Sequence, residues 1–230
     1  MRTPILSVAL AATATLGLAT ATVTSATALP ARAHAARVCS VPSSPTVAAC
    51  SALKLVDDSG QAVSPSGRRV TPAAISGKTP TDIQSAYKLA GLSSGGRTVA
   101  IVDAYGYAKA EQDLGTYRAQ WGLPACTTAN GCLKIMDENG GTKLPRYNNG
   151  WAQEQALDLD AVSAACPSCK IVLVQAASAS LVDLGTAVAT AAKQPGVAAI
   201  SNKLRRRRPV RRQLWQLLQP PRHRRHRVDR

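Results

Sequence analysis

From residue 79 onward the chain alternates two hydrophobic patterns. "TVAIVDA" (98–104), "CLKIM" (132–136), "KIVLVQA" (170–176) and "VAAIS" (197–201) are short, nearly continuous apolar runs rich in Val and Ile. Runs of that length with little polar alternation are strands covered on both faces, as in a parallel sheet. Between them lie stretches with apolar residues at helical spacing: "AEQDLGTYRAQWG" (110–122), about 151–165 and about 181–193. An earlier helix is expected at its own start signal, where Thr79 can cap, Pro80 suits the first position, and Ile83, Ala86, Tyr87 and Ala90 recur at helical spacing. A Gly-rich turn at Asn139-Gly140-Gly141 separates the second strand from the next helix. Strands alternating with helices predict an α/β fold, a doubly wound and mostly parallel sheet. The sequence contains no Phe, so its core must come from Val, Ile, Leu and Ala.

Outside this block the patterns change. Residues 36–78 are rich in Pro, Ser and Gly without sustained periodicity, which predicts a loop-rich arm pinned by Cys39 and Cys50. At the start, Arg2 precedes an apolar and small-residue run over 5–23, followed by Ala26-Thr27-Ala28 and Ala33-His34-Ala35 as small-x-small cleavage sites. That is the organisation of a secretory signal peptide, assigned to residues 1–35. No later stretch approaches the roughly 20 apolar residues that span a bilayer. The mature chain is therefore expected to be secreted and extracellular, with no membrane attachment after cleavage.

Export changes how the cysteines read. Cys39, Cys50, Cys126, Cys132, Cys166 and Cys169 all follow the leader, and an even number in an exported chain favours disulfides. The simplest connectivity joins 39 with 50, 126 with 132 and 166 with 169. Only Cys166-Pro-Ser-Cys169 has metal-ligand spacing, and no His lies between residues 35 and 222, so no metal is expected on these ligands. A thioredoxin-like use of the same CxxC is disfavoured, because it follows a helix and precedes a strand.

Charge is concentrated at the end. Residues 204–230 hold eleven Arg and one Asp, so this tail carries +10 of the chain's formal +15. Arginine blocks of this kind contact nucleic acid or anionic membrane, or are solvated extensions without a partner. The tail has a lone aromatic, Trp215, and no amphipathic period, which argues against both partners.

The candidate chemistry lies on the helix "WAQEQALDLDAVSAA" (151–165). Glu154 and Asp158 are four residues apart and share a face, whereas Asp160 is turned roughly 200° from Asp158. Acids in early turns favour the helix dipole, and solvated acidic faces are common. The other reading is a coupled acid pair in which a shared proton raises one pKa while the other group stays ionised as a general base. The histidines are His34, His223 and His226, so the patterned region has no imidazole for a Ser-His-Asp triad. Ser163, Ser168, Ser178, Ser180 and Ser201 lack a Gly-x-Ser-x-Gly elbow, and none is a nucleophile on sequence. Asp103 ends a strand similar to the one bearing the catalytic Asp of subtilisins, but Ala-Tyr follows it and no His-Gly-Thr segment comes after, so it reads as a structural acid.

"YRAQWGLPACTTANGC" (117–132), "WAQEQALDLDAVSAACPSCKIVLVQA" (151–176) and "AAISN" (198–202) together resemble the sedolisin family of serine-carboxyl peptidases, particularly secreted bacterial members. The resemblance covers about residues 79–203, with the family's Glu-x-x-Leu-Asp element on Glu154, Leu157 and Asp158. It implies a subtilisin-like fold, of which 79–203 is the N-terminal part. It also implies an acid-acting endopeptidase with polypeptide substrates, acting as a monomer. Glu154 would be the general base that takes the nucleophilic serine's proton, and Asp158 the carboxylate that orients it. A Glu with an ordinary pKa of about 4.3 stays ionised in acid where a His near about 6.5 does not. Against that resemblance, the chain is expected to lack the long N-terminal propeptide domain of many members.

After Ile-Ser-Asn the family continues with Ser-Tyr-Gly-Gly, a Tyr-Asn-His-Pro-Gly segment, the oxyanion Asp in Gly-Asp-Ser-Gly, the serine in Gly-Thr-Ser, and a calcium site. None is present in this sequence, so no cofactor is expected in it and the chain is expected to be inactive. One permitted codon set for residues 204–230, read one base on, spells Tyr-Gly-Gly at its start and Tyr-Tyr-Asn-His-Pro-Gly further along. The tail is therefore expected to be an out-of-frame translation from a single-base change near Lys203, its arginines without a selected partner. The alternative is a secreted non-enzymatic binding protein whose Arg-rich tail contacts nucleic acid or anionic membrane.

Overall fold

A computed structural model describes residues 33–42, 44–70 and 77–202; most of the expected leader, and the Arg-rich tail, lie outside them. Ten elements follow in chain order: β1 (His34–Arg37), β2 (Leu53–Val56), α1 (Pro80–Ala86), β3 (Thr98–Ala104), α2 (Ala110–Gln120), β4 (Leu133–Asp137), α3 (Asn149–Ala165), β5 (Lys170–Ala176), α4 (Leu181–Ala192) and β6 (Val197–Ser201).

The four apolar runs form one parallel sheet in the order β4-β5-β3-β6. In the central strands β3 and β5 the continuous hydrophobicity has the expected cause, because both faces are covered; the edge strands β4 and β6 are only partly buried. Ala100, Val102, Val172 and Val174 pack with Leu184, Ala187 and Ala191 of α4 on one face. Ile101, Ile171, Leu173 and Leu133 pack with Leu114 of α2 and Leu159 of α3 on the other. Each fully buried Ile or Leu contributes about 1.5–3 kcal/mol relative to exposure. The fold is thus the doubly wound α/β class expected from the pattern.

The winding positions the helix of interest. The β3 to β4 connection crosses the sheet in one direction through α2; β4 to β5 and β5 to β6 return in the other through α3 and α4. Since α3 shares a face with α2 and α4 lies opposite, the α3 crossover has the opposite hand to the other two. Parallel crossovers are right-handed in about 98% of cases, which makes α3 the exceptional connection.

Local chemistry sets the element ends. Thr79 and Asp82 form the reciprocal capping box that starts α1, and Pro80 occupies its first turn. That helix stops at Ala86, short of the expected Ala90, and Lys88 follows with a left-handed φ of 56°. α3 starts two residues before the expected Trp151 because the Asn148 side chain accepts the Trp151 N–H at 3.1 Å. The arm, expected to be loop-rich, contains an antiparallel pair, β1 with β2, and docks on the β5–α4 connection and the start of α4 through the Ala48 N–H to Ala179 C=O bond at 2.8 Å and the Leu181 N–H to Thr46 C=O bond at 2.9 Å. Its strands have four residues each with mostly exposed side chains, so neither alternation nor an apolar run marks them. β1 also spans the second candidate cleavage site, Ala33-His34-Ala35. Among the described residues no helix is long and apolar enough to cross a membrane.

Candidate active site

Glu154 and Asp158 lie one turn apart on α3 and retain 1% and 2% of their exposure. Neither is in the first helical turn, where the dipole would favour it. A solvated acidic face therefore does not account for them. Burying two carboxylates on consecutive turns is costly unless their surroundings compensate. The Ser51 N–H of the arm donates to Glu154 Oε1 at 3.4 Å. Asp158 lines a cavity of about 280 Å³ with Val99 and Ser201, in the angle between α3 and the edge strand β6. Leu157, between the two acids in sequence, is half exposed.

What fixes the rotation of α3 is Gln155. Its Nε2 donates to Ala104 C=O at 3.1 Å and Tyr105 C=O at 3.0 Å, and its Oε1 accepts from Gln175 Nε2 at 2.9 Å. Both glutamines are fully buried, tying α3 to the carboxyl ends of β3 and β5. Asp103, also fully buried, stands opposite Gln175 in the β3–β5 register. The chain then turns through Tyr105, whose φ of 63° costs on the order of 1–3 kcal/mol in a residue with a Cβ. Arg146 lies over the Tyr105 ring, 5.4 Å from its centroid. Gly106 follows, and a Cβ there would meet Pro145 O at 2.0 Å, so only glycine fits.

On the opposite side of α3, Asp160 approaches α2. Burial, and then the nearby Asp113 charge, push its carboxyl up to about 7. Tyr107 donates to the Asp113 carboxylate, and its phenol is raised by burial and by that hydrogen bond. Arg118 of α2 is buried, which lowers its pKa. It donates to Pro124 C=O at 2.5 Å, Ser163 Oγ at 2.9 Å and Pro167 C=O at 2.7 Å. Ser163 is thereby assigned a structural part. So are Ser180, which caps α4, Ser178, which donates to Asp183, and Ser168, whose carbonyl accepts from Ser94. Ser201 is the serine of this set that shares a cavity with Asp158.

The cysteines pair in the simplest way: Cys39 with Cys50, Cys126 with Cys132 and Cys166 with Cys169. The last pair joins the end of α3 to the start of β5, so those two sulfurs serve as a staple.

No family model matches the chain, and no curated protein does. Among solved structures, Pseudomonas sedolisin (serine-carboxyl proteinase) complexed with two molecules of pseudo-iodotyrostatin is similar at 17% identity and a TM-score of 0.44. The similarity covers 56% of this chain and 35% of that one, so this chain spans about a third of that neighbour's length.

The two acids expected to act together are thus on one buried face, and Asp160 is apart from them. Sequence reasoning missed Gln155, Gln175, Arg118 and Ser51. Gln155 had a signal, since it occupies a sheet-facing position in line with Ala152 and Leu159, where a polar side chain needs a buried partner. The Ser51 contact depends on the arm's docking and had none.

Proposed function

We propose that this chain carries the acid half of the active site of a secreted serine-carboxyl endopeptidase of the sedolisin type, cleaving polypeptides at acidic pH. The observation that carries the reading is the pair itself: two carboxylates on consecutive turns, both buried, beyond the reach of the helix dipole, with Asp158 beside β6, the last strand of the sheet among the described residues. Glu154 is the general base and Asp158 the group that holds it in position. A serine hydroxyl gives its proton to Glu154 as its oxygen attacks the scissile carbonyl. The protonated Glu154 then returns that proton to the leaving amine.

The 230 residues supply this pair without the Gly-Thr-Ser or Gly-Asp-Ser-Gly segments, which hydrolysis on this reading requires. A missing oxyanion donor by itself typically costs about 100-fold to 1000-fold. Action in acid fits the electrostatics of α3, because Asp160 near 7 is neutral, and its burial least costly, below that pH.

The nucleotide sequence from codon 195 through about 200 codons beyond the stop tests the reading, that span being of domain size. The shifted frame is expected to encode Gly-Asp-Ser-Gly and later Gly-Thr-Ser. Stops in that frame with neither motif would remove the nucleophile, and with it the peptidase assignment.

A further inference from the structure

We infer that the disulfide-pinned arm and the first turn of α3 together form a binding pocket for an uncharged side chain of a polypeptide; the inference rests on the peptidase reading and names a substrate class for it. Between arm and body lies a cavity of about 540 Å³, within the ~300–1,000 Å³ typical of ligand sites. It lies beyond the carboxyl end of β3, where ligands of open parallel sheets collect. Val41, Val47 and Ala49 of the arm line it together with Tyr105 and Trp151 of the body, its exposed surface is about equally polar and apolar, and no residue lining it carries a charge. Its polar side chains include Asn148 and Asn149. Their amide oxygens already accept from Trp151 N–H and Tyr147 O–H, so what they offer a ligand is N–H donors, the complement of a peptide carbonyl.

The two segments that line the pocket also lead to Glu154. Ala48 and Ala49 line it, and Ser51, two residues on, places its N–H on Glu154. Trp151 lines it from α3, one turn before Glu154. Its wall is built rather than loosely draped. The Cys39–Cys50 disulfide closes the arm, the Val38 N–H donates to Ala52 C=O at 3.1 Å, and a Cβ at Gly150 would meet Val38 O at 2.9 Å and Cys39 Sγ at 3.2 Å. Tyr105, which also lines it, is a non-glycine residue held at positive φ, the kind of strain that collects at ligand sites.

The test uses the full chain with Trp121→Phe and Trp215→Phe, leaving Trp151 as the fluorescent reporter. Acetyl-Ala-Ala-Leu-Ala-amide is expected to change its emission saturably, and acetyl-Ala-Ala-Lys-Ala-amide to bind at least about tenfold more weakly. Val41 is 56% exposed, so Val41→Asp introduces a charge at the cavity without removing core. It is expected to reverse the preference toward the lysine peptide. Saturable binding that survives Glu154→Gln supports the pocket whether or not peptidase activity is ever found. Equal binding of both peptides, no saturable binding, or an unchanged preference in Val41→Asp would overturn it while leaving the acid-pair reading to its own test.

Discussion

Asp160→Asn probes the interface between α2 and α3. In the folded protein the Asp160 carboxyl titrates at about 7, raised first by burial and then by the Asp113 charge. Its ordinary value is about 3.9. A carboxyl whose folded pKa is raised contributes fully below the unfolded pKa, and stability is lost as pH rises toward the folded one. The affected window is therefore about pH 4 to 7. A shift of about three units at about 1.36 kcal/mol each sets a ceiling near 4 kcal/mol, and partial exposure of Asp160 reduces the expectation to about 2–4 kcal/mol. Asp82 moves the other way, lowered by its bonds to the Thr79 backbone and hydroxyl, and its effect falls below about pH 4. Urea unfolding at low micromolar protein should show stability declining from pH 4.5 to 8 in the native sequence and a shallower decline in Asp160→Asn. The variant should be the more stable of the two at pH 8. Asp113→Asn should remove a smaller part of the decline. Parallel pH profiles for the native chain and Asp160→Asn would refute the assignment.

Other outcomes follow from the arm and the core. Replacing Cys39 and Cys50 together by Ala should cost about 3 kcal/mol from the loop they close, measured by denaturant unfolding, and should speed amide exchange at Ala48 and Leu181. Arg118→Ala should destabilise by about 2–4 kcal/mol, since it opens a void and strips Ser163 and two carbonyls of a donor; a loss under about 1 kcal/mol would contradict that bracket. If the leader is removed on export, mass spectrometry of the secreted N-terminus should find cleavage after Ala28, because cutting at Ala35 would sever β1.

The strands were legible because each is a short apolar run, 98–104, 170–176 and 197–201 coinciding with β3, β5 and β6; burial on both faces accounts for the first two, whereas β6 is only partly buried. The pairing of cysteines was legible because each couple closes a short local loop. Helix ends were less so, since the start of α3 depends on a side-chain cap at Asn148 and the end of α1 on a left-handed Lys88. For the site, sequence spacing placed Glu154 and Asp158 on one face but could not separate a solvated pair from a buried one. Burial is set by the arm, by β6 and by the hand of the α3 crossover, none of which is a local property. The same holds for Arg118, which no sequence pattern marks and which is closed over by Ser163 and the Pro124 and Pro167 carbonyls.

The most direct measurement is endopeptidase activity against a denatured protein at pH 3–5, near the ordinary carboxylate range. It would use a gene with the frame restored near Lys203, in native form and as Glu154→Gln and Asp158→Asn. The acid-pair account predicts activity in the restored protein and a fall in kcat/KM of at least about 100-fold in each variant. Activity that persists in both variants would contradict it, because the general base would then lie elsewhere.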